Sequence, residues 1–117
     1  MTQVTKTLAE VEAQIEIFVA AMTEYCNEKN ICKHIYTYVL SVERGAKNAR
    51  IVRAEKWGDN PPTNRNVLCF VRLEDGAILK GSWKAPVKNP VRGSIFAEGC
   101  DIGEGRAMGQ HGCNYLR

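Results

Sequence analysis

An apolar stripe near the start of the chain commits its first quarter to helix. Leu8, Val11, Ile15, Phe18, Val19, Met22, Tyr25 and Cys26 recur at three- and four-residue intervals, the spacing of one helix face. Thr7-x-x-Glu10 stands at its head as a capping box, in which each side chain satisfies the other residue's free backbone N–H. The pattern predicts a helix from Thr7 to Lys29, stopped at Asn30. At 1.5 Å per residue it would be roughly 33 Å long, which is long for a small domain. Ile17 lies off the main stripe and points to a second contact, so the helix is expected to carry a homo-oligomer interface, the alternative being packing across the whole sheet.

From Ile31 the period changes from helical to alternating. Ile35 to Val42 and Arg50 to Trp57 are rich in β-branched and aromatic residues and read as strands, with a turn over Gly45 to Asn48. Gly58 to Asn64 reads as a loop. Asn66 to Leu73 is a near-continuous apolar run, expected to be buried on both sides. Asp75-Gly76 is a hairpin signal, because both residues tolerate positive φ, and Ala77 to Trp83 is a fourth strand. The expected fold class is α+β: one long N-terminal helix on an antiparallel sheet of four to five strands, in a single domain. Two prolines in 84–93 and five glycines in 99–112 make the C-terminal segment irregular.

With 117 residues, 44% apolar and 25% charged, the composition is that of an ordinary globular domain. The longest uncharged apolar stretch, Ile17 to Met22, is too short to cross a membrane. No signal-peptide core follows Met1, so the protein is expected to stay inside the cell that makes it. The odd count of cysteines (Cys26, Cys32, Cys69, Cys100 and Cys113) forbids a complete internal disulfide set, and free thiols are expected. Cys32-x-His34 and His111-x-Cys113 invite a zinc test with Cys26 and Cys100. The usual Cys-x2-Cys grammar is absent, so neither metal nor cofactor is expected.

Charge is uneven along the chain. Residues 41–95 carry eleven Lys or Arg against five Asp or Glu, whereas both flanks are slightly acidic. This basic segment also holds both tryptophans, Trp57 and Trp83. Cations neutralise phosphate and aromatic rings stack on bases, so the combination suits a phosphate-bearing partner. The competing reading is a solvated sheet face with Trp83 and Phe96 in the core. The best ligand-binding candidates are Trp83 for stacking, with Lys84, Lys88 and Arg92 for phosphates and Phe96 beside them. Arg53 and Trp57 are looser candidates from a neighbouring strand.

Nothing argues for an enzyme. There is no Ser-centred elbow and no His-Glu-x-x-His pair, and Gly103-x-Gly105-x-x-x-Gly109 misses the dinucleotide spacing by one residue.

The stretch Cys69 to Lys88, with Ser82-Trp83-Lys84-Ala85-Pro86-Val87-Lys88 at its end, followed by Val91-Arg92-Gly93-Ser94-Ile95-Phe96 and a closing Tyr115-Leu116-Arg117, resembles a family of small phage and prophage proteins. The match covers about 50 residues and leaves the N-terminal helix unmatched. That family is similar in turn to the phage anti-Thoeris sponge proteins, which sequester cyclic ADP-ribose-type immune signals. The resemblance implies an oligomeric cyclic-nucleotide binder without turnover, acting in the host cytoplasm. Two other readings remain open: a nucleic-acid-binding module using the basic 44–92 segment, and an inhibitor that binds a host protein through the helix.

Overall fold

The computed structural model describes residues 7–81, 86, 91–103, 106–109 and 112–113. Helix α1 spans Leu8–Lys29. The Thr7 hydroxyl accepts from the Glu10 N–H at 3.1 Å, and the Glu10 carboxylate accepts from the Thr7 N–H at 3.1 Å, so the capping box forms in full. Lys29 lies in the last turn, where a cation complements the helix dipole. Val11, Ile15, Phe18, Met22 and Cys26 are buried along one stripe.

Asn30 ends the helix in an extended conformation (φ −75°, ψ 110°), not in the left-handed geometry common at such stops. Its buried amide brackets the next turn instead. Nδ2 donates to the Tyr36 carbonyl at 2.9 Å, and Oδ1 accepts from the Cys32 N–H at 2.9 Å.

Five strands follow in an antiparallel sheet with neighbours in chain order: β1 (Thr37–Arg44), β2 (Asn48–Lys56), β3 (Thr63–Arg72), β4 (Ala77–Lys80) and β5 (Gly93–Ser94). After a short 3-10 turn at Glu98–Asp101, β6 (Met108–Gly109) and β7 (Gly112–Cys113) form a separate hairpin. The expected α+β architecture is therefore present, with strand ends displaced by up to three residues; Ser82 and Trp83, the last of the expected fourth strand, lie outside the described residues. The Asp75-Gly76 turn forms, yet only Gly76 uses a positive φ (+77°). Asp75 contributes its side chain, which accepts from the Ala77 N–H at 3.0 Å.

Register assigns the two faces. Tyr38 faces Glu55, Leu40 faces Arg53 and Val42 faces Ile51; Ile51 faces Cys69, and Val71 faces Ile78. This face meets α1 in one cluster with Val11, Ile15, Phe18, Met22, Ala49 and Ile95. Between Ile51 and Val52 the register slips, because Val52 pairs with Val67 and Leu68 is left as a bulge. The hairpin docks at that point: a Cβ on Gly112 would lie 2.9 Å from the Leu68 carbonyl oxygen. Leu68 to Val71 are buried consecutively, as their apolar run implies, and Val52 and Leu79 are buried on the second face.

Helix α1 runs along the edge strand β1. Asn27 Oδ1 accepts from the Tyr38 N–H at 2.7 Å and Nδ2 donates to the Tyr38 carbonyl at 3.1 Å. At the other end Glu12 pairs with Arg44 at 2.5 Å. At Tyr38 a side chain thus occupies backbone groups of the edge strand.

Two half-buried carboxylates hold arginines. Glu43 accepts from Arg50 Nε at 2.7 Å and from Arg65 at 2.6 Å, and Asp75 takes Arg72 in a fork at 3.0 and 2.6 Å. These bonds hold both carboxyls below their ordinary values of 4.5 and 3.8. A depressed folded-state value gives stability that is present above the unfolded value and is lost as pH falls through the folded one. Screening keeps the effect small. The expected result is a modest loss of stability between about pH 5 and pH 3. A Glu43→Gln, Asp75→Asn double variant should have a flatter profile in urea denaturation. An unchanged slope would mean that these pairs do not hold in solution.

Candidate ligand-binding surface

The sequence candidates separate in space. Arg53 lies on β2 and Trp57 just beyond it, whereas Arg92 leads into β5, its N–H donating to the Ile78 carbonyl at 2.8 Å. Three strand spacings of about 4.8 Å put roughly 14 Å between β2 and β5. Phe96 is half-buried against the core and lies flush with Gly76, where a Cβ would come within 2.7 Å of its ring. Trp83, Lys84 and Lys88 lie outside the described residues.

What does converge is a ladder of rings at one end of the sheet, on the helix side. Because Thr37 pairs with Lys56, the residues one step outward, Tyr36 and Trp57, come opposite each other. Their rings stack with centroids 4.7 Å apart and planes 23° from parallel. Tyr36 meets Tyr38 edge to face at 5.6 Å and 82°. The Arg53 guanidinium lies 4.2 Å from the centre of the Tyr38 ring. Aromatic pairs and cation–π contacts of this kind are worth roughly 0.5–1.5 kcal/mol each, so the ladder has a defined shape.

Its two ends differ. Arg53 is 8% exposed and closes the inner end beneath α1, beside Cys26. Trp57 is 37% exposed at the outer end. Its indole N–H donates to Glu55 at 3.0 Å, and Asn64, in a left-handed conformation, donates to the same carboxylate oxygen at 2.8 Å. The indole is thus oriented from its edge, while one ring face rests on Tyr36. Lys56 reaches the Asn60 carbonyl and helps to fix the loop that carries Trp57.

The Tyr36 hydroxyl is pushed up to about 12, chiefly by hydrogen bonding to Tyr38. Absorbance titration should therefore find one phenol ionising near 12, and Tyr38→Phe should return it toward the ordinary value of 10. An ordinary titration in the parent protein would contradict the bond between the two phenol hydroxyls.

Sequence reading picked out Arg53 and Trp57 but not Tyr36 and Tyr38. The signal was present, since Tyr-x-Tyr on a strand puts both rings on one face. The partner across the hairpin depends on register, which the local pattern does not fix.

The cysteines are dispersed. Cys26 lies on the buried face of α1, Cys100 receives a weak contact from Gln14 at 3.6 Å, and Cys113 touches Met108 at 3.7 Å between sulfurs. Among the described residues no three of His, Cys, Asp and Glu are grouped so as to hold a metal ion. Burial pushes the Cys69 thiol well up and raises Cys113; at Cys26 burial outweighs the opposing pull of Arg53. These sulfurs are held as thiols, the weakly nucleophilic form. No helix among the described residues is long and apolar enough to cross a membrane.

The arrangement can stack and orient a planar group, with a buried cation behind it. Residues 1–101, which contain α1, the five-stranded sheet and the ring ladder, match the model of a family described as of unknown function, DUF7717. No curated protein and no solved structure matches the chain. Matched over most of its length, the chain belongs to the DUF7717 family.

Proposed function

We propose that the protein is a non-catalytic binder of a nucleotide, which stacks the base on Trp57 and holds the ligand without turnover. The observation that carries this reading is the half-exposed Trp57 ring, braced by Tyr36 and Glu55 and backed by the buried Arg53. Base–aromatic stacking contributes roughly 1–3 kcal/mol per base, which suits a small ligand held at one platform. The excess of cations in 41–95 supplies attraction for phosphate. The sequence resemblance adds a specific candidate, a cyclic ADP-ribose-type signal captured in the cytoplasm of a phage-infected host. In that reading Trp83, Lys84, Lys88 and Arg92 contribute from the segment before β5, and copies associate through the exposed side of α1, where Ile17 is 56% exposed.

A thermal-shift panel tests the proposal. It should include cyclic ADP-ribose-type nucleotides, cyclic di- and trinucleotides, and short single-stranded DNA and RNA. A ligand at 100 times its Kd stabilises the folded state by about 2.7 kcal/mol, a readily measured rise in Tm. A rise with a cyclic nucleotide, lost in Trp57→Ala, is the expected result. No response to any small nucleotide would overturn the proposal. A rise with DNA or RNA alone, falling steeply with salt, would assign the basic segment to polymer binding instead.

A further inference from the structure

A second concavity lies at the opposite end of the sheet, among the β1–β2 turn, the β3–β4 turn and the start of α1. Its volume is about 530 Å³, within the range of small-molecule sites. Leu8, Leu73 and Leu79 give it an apolar lining, and Lys47, Arg72 and Glu74 also border it. Leu73 and Leu79 are buried, while Leu8 is 46% exposed and leaves one side open.

The three charged groups are not equivalent. Arg72 is committed to Asp75 through both of its fork contacts, so it serves as wall rather than receptor. Lys47 and Glu74 sit on adjacent turns, tied together by the Leu73 N–H donating to the Lys47 carbonyl at 2.9 Å. Yet neither side chain enters an ion pair among the described residues, with the other or with a third group. Glu74 acts on the neighbouring Arg72 only through space, so one ammonium and one carboxylate border the leucine-lined hollow without a close ion-pair partner among the described residues.

A ligand that satisfies all three features carries an anion, a cation and an apolar body within a few bonds. We infer that this cavity is a binding site for a free α-amino acid with a large apolar side chain. Lys47 takes its carboxylate, Glu74 takes its ammonium, and the leucines take its side chain. The site is separate from the Trp57 platform and does not depend on it.

Calorimetry with L-phenylalanine tests the inference. Lys47 and Glu74 are exposed, so Lys47→Met and Glu74→Gln should leave the fold intact, checked by circular dichroism. Saturable one-to-one binding is expected in the parent protein, weakened about fivefold by either substitution, the scale of a solvent-exposed charge contact. N-acetyl-L-phenylalanine, which lacks the ammonium, should bind more weakly and be indifferent to Glu74→Gln. Phenethylamine, which lacks the carboxylate, should be indifferent to Lys47→Met. Leu8→Trp, which narrows the open side, should reduce phenylalanine binding, and Trp57→Ala should not. Absence of saturable heat, insensitivity to both charge substitutions, or loss of binding in Trp57→Ala would each overturn the assignment.

Discussion

Phe18→Ala is expected to cost about 3–5 kcal/mol, the range for an aromatic side chain removed from a packed core. Phe18 is fully buried at the middle of the α1 stripe, flanked one turn away by the equally buried Ile15 and Met22. Its ring is part of the cluster that joins the helix to Ile51, Val71 and Ile78 on the sheet. Removing it leaves a hollow between two stiff elements that have little scope to close over it. Domains of this size are stable by only about 5–15 kcal/mol, so the loss is a large fraction of the total. Urea denaturation of parent and variant gives the comparison, and Phe18→Leu should lose clearly less. A loss below about 1 kcal/mol for Phe18→Ala would mean that α1 does not dock on the sheet by this face.

Asn27→Ala is expected to cost about 2–3 kcal/mol, although alanine is the better helix former. The Asn27 amide both accepts from and donates to the backbone of Tyr38, a residue that is itself buried. Truncation leaves a buried N–H and a buried C=O without these partners, and each such loss costs about 1–3 kcal/mol. The helix propensity gained returns well under 1 kcal/mol. Asn27→Asp separates the two bonds, because a carboxylate still accepts from the Tyr38 N–H but cannot donate to its carbonyl. It should be destabilised as well, despite keeping the shape. Hydrogen exchange at the Tyr38 amide should accelerate in Asn27→Ala. An unchanged exchange rate together with unchanged stability would contradict this bracket between helix and sheet edge.

These two residues also mark what local pattern can and cannot reveal. Phe18 was legible, because burial of a helix stripe follows from spacing alone, and the capping box at Thr7 fixed where the stripe begins. The strands were legible from their β-branched and aromatic runs. Asn27 was not legible as a bracket, since its partner is eleven residues away across a change of direction. The Leu68 bulge was hidden for a related reason: a continuous apolar run gives no alternation from which a slipped register can be read. The same limit shaped the site. Arg53, Trp57, Trp83 and Arg92 read as one basic, aromatic region along the chain. Sheet order sets Arg53 on β2 with Trp57 just past its end, whereas Arg92 leads into β5, three strands away. Tyr36 and Tyr38 joined Trp57 only once the hairpin register put Thr37 opposite Lys56.

The central claim is that a nucleotide stacks on Trp57, and tryptophan fluorescence tests it most directly. In a Trp83→Phe background Trp57 is the sole tryptophan. Titration with the panel's small nucleotides, cyclic ADP-ribose first, should quench its emission saturably for the one that binds, with a midpoint matching calorimetry, and the ligand should be recovered unchanged after the protein is denatured. Binding seen by calorimetry with no change in Trp57 emission would contradict the claim, as would no binding at all.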